Sequence, residues 1–87
     1  METRVAVISI IIEDSESVQP MNELLHQFGD YIIGRMGIPY REKGVRILSI
    51  AIDAPQDKIS TLAGRIGKLQ GISVKTAFSS VISHEDV

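Results

Sequence analysis

Arg35, Tyr40, Arg41, Lys43 and Arg46 gather four cations and a phenol within a dozen residues. These are side chains that recognise anions. A guanidinium offers a planar fork of donors to a carboxylate or phosphate, an ammonium adds a compact charge, and a phenol adds one more hydrogen bond. If Ile33 pairs with Leu48, a register suggested by matching apolar positions, Arg35 falls opposite Arg46. Like charges facing each other across a ladder are unfavourable unless something acidic sits between them. That register predicts a small anionic ligand, or an acidic partner surface, at the connection between two strands. A plainer reading competes and carries slightly more weight on composition alone. In it Glu42 pairs locally, Gly37, Pro39 and Gly44 shape a turn, and the charges are an ordinary solvated surface. Met36 and Ile38 read as oligomer contacts rather than ligand contacts.

The remaining polar groups point away from chemistry. Glu13, Asp14 and Glu16 could offer oxygen ligands to a divalent cation, but acids at a helix start are what the helix dipole favours, and that is how they are read. His26, three residues after Glu23, reads as one half of a solvated pair. Gly64 and Gly67 each cost a helix about 1 kcal/mol and could permit close helix approach, but neither follows a strand with the spacing of a phosphate loop. The chain has no cysteine, which removes disulfides, thiolate catalysis and cysteine-ligated metals, and no metal or cofactor is expected. No nucleophile with a neighbouring base, and no paired acid and base, can be assembled. The expectation is a protein that is not an enzyme.

Composition narrows the partners. With 87 residues the chain builds one domain around one core, and a net charge of −2 provides no basic face for nucleic acid. No apolar run approaches the ~18 residues of a membrane span, and the N-terminus lacks a signal-peptide layout, so the cytoplasm is the expected location.

The elements that must carry these residues follow from hydrophobic periodicity. Arg4 to Ile12 is β-branched and reads as a first strand. A helix is expected from near Ser15 or Ser17, with Pro20 in its first turn, Val18, Met21, Leu24, Leu25 and Phe28 on one face, and Gly29 as a left-handed cap. Tyr31 to Met36 reads as strand two, Gly37 to Gly44 as a hairpin connection, and Val45 to Asp53 as strand three. Asp53 and Gln56 suit the start of a second helix carrying Ile59, Leu62, Ala63, Ile66 and Leu69 on one face, closed by Gly71. Ile72, Val74, Thr76 and Phe78 alternate with polar or small residues as a last strand; the ordered core is expected over about 4–79, with a polar, fraying tail from Ser80 to Val87.

The order βαββαβ with two right-handed crossovers predicts an α+β ferredoxin-like sandwich: a four-stranded antiparallel sheet, order 4-1-3-2, with both helices on one face. Ala6, Ile8, Ile10, Ile12, Leu48, Ile50 and Ile52 can face the helices, yet the opposite sets are also largely apolar. Two helices cannot cover both faces. Val5, Val7, Ile11, Val45, Ile47 and Ala51 are therefore expected to form a homo-oligomer interface. The alternative is that this face stays wet, as apolar surface commonly does.

The run Gly34-Arg35-Met36-Gly37-Ile38-Pro39-Tyr40-Arg41-Glu42-Lys43-Gly44-Val45, preceded by Leu24-Leu25-His26 and Gly29-Asp30-Tyr31-Ile32-Ile33, resembles the family of regulators linked to the iron-only hydrogenase system. The resemblance extends from about Arg4 to Phe78. It implies an ACT-like ferredoxin fold, similar to the ligand-sensing domains of amino-acid metabolism and to the C-terminal domain of nickel-responsive repressors, assembled as a dimer or tetramer. Ligand-binding ACT domains commonly place a glycine after strand one, where this chain has Glu13, Asp14 and Glu16, so an amino-acid site at that turn is disfavoured. The histidine and cysteine set of the nickel sensors is also missing, since only His26 and His84 are present. Acylphosphatases share the element order but use a glycine-bearing phosphate loop after strand one, with an arginine and an asparagine; here that loop is acidic and the single asparagine, Asn22, lies on helix one. The expected function is a regulatory or ligand-sensing oligomeric domain, with a structural adaptor that recruits a protein through the open sheet face as the alternative. Without a helix-turn-helix or basic face, any effect on transcription must pass through another protein.

Overall fold

β-branched residues dominate Glu2–Ile12 and recur through Val45–Ala54, and both segments form strands, β1 and β3, that pair antiparallel at the centre of the sheet. The computed structural model describes residues 2–84. The edge strands are β2 (Ile32–Tyr40) and β4 (Ile72–His84), giving the order β2-β3-β1-β4, the expected 4-1-3-2 arrangement read from the other edge. Helices α1 (Val18–Gln27) and α2 (Gln56–Gly67) complete the βαββαβ order of a ferredoxin-like α+β fold. Among the described residues no helix is long and apolar enough to cross a membrane.

One layer of core lies between the sheet and the two helices. Ala6, Ile8, Ile10 and Ile12 of β1 and Leu48, Ile50, Ile52 and Ala54 of β3 meet Met21, Leu25 and Phe28 near α1 and Ile59, Leu62 and Ile66 of α2. Each large aliphatic side chain removed from water here contributes roughly 1.5–3 kcal/mol, which is what drives the helices onto the sheet. Their apolar residues recur at helical spacing on one side only, so each helix has a single face to bury.

The ends of the elements differ from expectation in instructive ways. β2 continues through Gly37, Ile38 and Pro39 to Tyr40, and the connection shrinks to a 3-10 turn over Arg41–Lys43 closed by Gly44 at φ +64°. An edge strand has a side without a neighbour, where the missing N–H of Pro39 is harmless. β4 runs to His84, because Ile82, Ser83 and His84 pair with Arg4, Thr3 and Glu2 beyond a bulge. The expected tail therefore begins too early at Ser80, and its residues 85–87 lie outside the described residues. α1 is preceded by a 3-10 turn over Ser15–Ser17, and Gly29 opens another at Gly29–Tyr31 rather than adopting a left-handed cap. Pro55, not Asp53, occupies the N-cap position of α2. A Cβ at Gly64 or Gly67 would meet nothing within 4 Å, so these glycines do not serve a close helix approach within the chain.

Two loops at one end of the sheet are clasped together. The Glu13 N–H donates to the Gly71 carbonyl at 2.7 Å, and the buried Ser17 hydroxyl donates to the Gln70 carbonyl at 2.6 Å. Gly71 sits at φ +70°, and a Cβ there would lie 2.6 Å from Asp14 Cβ, so both the conformation and the approach require glycine. Asp14 in turn accepts from the Glu16 N–H at 2.9 Å, capping the turn that leads into α1.

Candidate functional site

The register between β2 and β3 decides where the cationic side chains go. Arg35 pairs with Ile50 and Pro39 with Arg46, so Arg35 and Arg46 are not opposite one another; the Ile33–Leu48 register is corrected by four residues, with an irregularity between Ile32 and Gly34. Because the slip is an even number, both arginines still emerge on the helix-bearing side of the sheet.

There they line one open cleft of about 220 Å³ between α1 and the β2–β3 hairpin. Ile12 and Leu48 supply sheet surface, Val18, Met21 and Asn22 form the α1 wall, and Gly37 and Pro39 complete the edge-strand side. Asn22 Oδ1 accepts from Arg35 Nη2 at 3.2 Å, so the helix holds one guanidinium in place. Among the described residues no acidic side chain is hydrogen-bonded to Arg35 or Arg46. Their remaining donors can serve an anion, with apolar walls to favour a partly apolar ligand.

The other candidates lie elsewhere. Tyr40 pairs with Val45 on the side away from the helices, and its hydroxyl donates to Glu42 Oε2 at 3.0 Å. Arg41 and Lys43 occupy the hairpin tip. The five residues thus divide into a pair in the cleft, a pair at the tip and a tyrosine on the opposite face. Sequence reasoning missed the contribution of α1: it puts Asn22 on helix one without a partner, and nothing in it links Val18 and Met21 to the arginines. Met21 read as core and Gly37 as turn, so neither signalled a cleft.

The helix-free face carries Val5, Val7 and Ile11 from β1, Val45, Ile47 and Ala51 from β3, and Met36 and Ile38 from β2, the residues singled out for it. Met36 is 62% and Ile47 41% exposed, so this face presents exposed apolar side chains on either side of the central Ser9–Ser49 pair. Its centre is a shallow trough lined by Ile11, Ile47, Ser9, Ser49, Ser73 and Lys75. Glu13, Asp14 and Glu16 are engaged in the helix start and loop clasp described above, and among the described residues no group of three or more His, Asp or Glu side chains is placed to hold a metal ion.

Comparison with known proteins adds a family to this geometry. Residues 4–76 match the model of the TM1266-like family, described as "Iron-only hydrogenase system regulator, putative". The structure of the uncharacterized protein TM1266 from Thermotoga maritima is 31% identical, covers 87% of this chain and 96% of its own, and superposes with a TM-score of 0.84. The ACT domain from GTP pyrophosphokinase of Chlorobium tepidum, 22% identical over 86% of this chain and 99% of its own, has a TM-score of 0.73 and shares the fold. So does the apo form of CPII from Thiomonas intermedia K12, a nitrogen regulatory PII-like protein, at 13% identity, 97% and 98% coverage and a TM-score of 0.58. No curated protein matches the sequence. The family resemblance carried by the Gly34–Val45 segment therefore holds across most of the chain, which belongs to the TM1266-like family of iron-only hydrogenase system regulators.

Proposed function

We propose that this chain is a non-catalytic, cytoplasmic regulatory domain that senses a small anionic ligand and works as a homo-oligomer, two copies meeting through the open sheet face. The observation that carries the reading is the convergence of Arg35 and Arg46 on one cleft with apolar walls. Arg41 and Lys43 at the hairpin tip add positive potential near its mouth, which raises the local concentration of anions. Membership of a regulator family supports a sensing role over a catalytic one.

The partner for the sheet face is a second copy. The face exposes Val7, Ile11 and Ile47 and carries Asp53 on β3 and Lys75 on β4, opposite charges that two copies related by a twofold axis can present to each other. A second reading, an adaptor that recruits a different protein, draws on the same trough, where the exposed Ile11 and Ile47 suit side-chain packing better than a polar ligand.

Native mass spectrometry of the wild type and of Ile47→Glu tests these readings together. The expected result is a wild-type dimer or tetramer, a folded Ile47→Glu monomer, and additional mass retained from added anions. A monomeric wild type would remove the assembly, and an oligomer that binds no anion at any concentration tested would favour the adaptor.

A further inference from the structure

The cross-strand rows on the helix-bearing side set the spacing of the two arginines. Reading from β1 through β3 to β2, one row is Ile12, Arg46 and Pro39, the next Ile10, Leu48 and Gly37, and the third Ile8, Ile50 and Arg35. Successive rows on one face of a strand lie roughly 6.8 Å apart, so the Cα atoms of Arg46 and Arg35 lie two rows, or roughly 14 Å, from each other along the strand direction. Between them the edge strand has no side chain, because the middle position is Gly37. A Cβ there would touch only Leu48 Cδ1, at 3.6 Å. The result is a groove beside α1 that both arginines line, entering from rows on either side of Gly37, with apolar surface from Leu48, Met21 and Ile12.

We infer that this groove takes a short linear organic dianion, two carboxylate or phosphate heads joined by an apolar spacer, with one head on Arg35 and the other on Arg46. The inference rests on the anion-sensing reading and specifies its ligand. A single-headed anion satisfies one guanidinium and leaves the other beside apolar surface without a counter-charge. A two-headed ligand satisfies both, and its spacer covers the floor that Gly37 leaves open. Each head meets a guanidinium fork, the geometry that favours bidentate carboxylate or phosphate binding. The volume, about 220 Å³, lies below the ~300–1,000 Å³ of common ligand pockets and suits a small metabolite. Asn22 is the positioning residue, holding Arg35 through its 3.2 Å hydrogen bond.

Isothermal titration calorimetry of the full chain at low salt, using unbranched dicarboxylates from succinate to suberate, tests the inference. Hexanoate and inorganic phosphate serve as single-headed controls. The expected result is an affinity that peaks at one chain length and exceeds that of hexanoate by about tenfold or more. Arg35→Gln and Arg46→Gln should each reduce the preferred dicarboxylate to the hexanoate level. Gly37→Leu, which fills the groove while keeping both cations, should abolish binding; if that variant does not fold, the two exposed arginine variants decide the matter. Dicarboxylates that bind no better than hexanoate or phosphate would overturn the two-headed ligand and leave anion sensing standing. No binding of any of these anions to the wild type would overturn both.

Discussion

Ile50 and Ile47 sit three residues apart on the same strand, are the same residue type, and live in opposite environments: 0% exposed against the helices in one case and 41% exposed on the open face in the other. Across the whole sheet the two faces are comparably apolar in composition, with Ile8, Ile10 and Ile52 on one side and Val7, Ile11 and Ile47 on the other. What separates them is coverage. α1 and α2 bring Met21, Leu25, Ile59, Leu62 and Ile66 onto the first face and leave nothing for the second. The strand pattern thus specifies which residues share a side, and the helices decide which side is the core of one chain.

The largest break in that comparison is Ile50→Ala. Removing a fully buried aliphatic side chain loses its transfer free energy and leaves a cavity between sheet and helices, an expected loss of about 2–5 kcal/mol by urea denaturation. A loss below about 1 kcal/mol would mean that the helices do not pack on this face as described. Next in size is Gly71→Ala, which attacks the clasp that seats the start of α1. Positive φ and the 2.6 Å approach to Asp14 both oppose a side chain, so a loss of about 1–3 kcal/mol is expected from the same measurement. Ser17→Ala removes only the hydrogen bond to the Gln70 carbonyl and should cost about 1 kcal/mol. Amide hydrogen exchange should then show faster opening at the start of α1 than in β1 or β3.

The same contrast explains what could be read from the chain alone. Side-chain alternation has period two, so Val5, Val7, Ile11, Val45, Ile47 and Ala51 could be assigned to one face before any register was known. The register itself was not legible. Matching apolar positions admitted a pairing displaced by four residues, which preserves the faces while moving Arg35 from Arg46 to Ile50. The face of each arginine was therefore readable and its neighbours were not. Gly37 and Pro39 read as turn residues because both are poor in central strands, but β2 is an edge, where they are tolerated. Ser79, Ser80 and Ser83 similarly disguised the end of β4, whose pairing with Glu2–Arg4 depends on partners far away in sequence. The cleft was hidden for a related reason. Its α1 wall meets Arg35 through a tertiary contact from Asn22, and no local pattern reports such a contact.

The smallest expected effect sharpens the comparison most. Ile47→Ala deletes the same atoms as Ile50→Ala, but from a side chain that remains 41% exposed in the isolated chain, so a dilute monomer should lose only about 0.5–1 kcal/mol. If a second copy covers the open face, that small intrinsic cost is joined by a loss of association, and the two are separated by protein concentration. Binding that favours the folded state makes the wild-type Tm rise with concentration. Ile47→Ala should flatten that dependence while scarcely changing the Tm extrapolated to low concentration. Ile50→Ala should do the reverse, lowering the Tm at every concentration and leaving the slope. A wild-type Tm independent of concentration would show that the face is wet, and Ile47 would then differ from Ile50 only in how much water it touches.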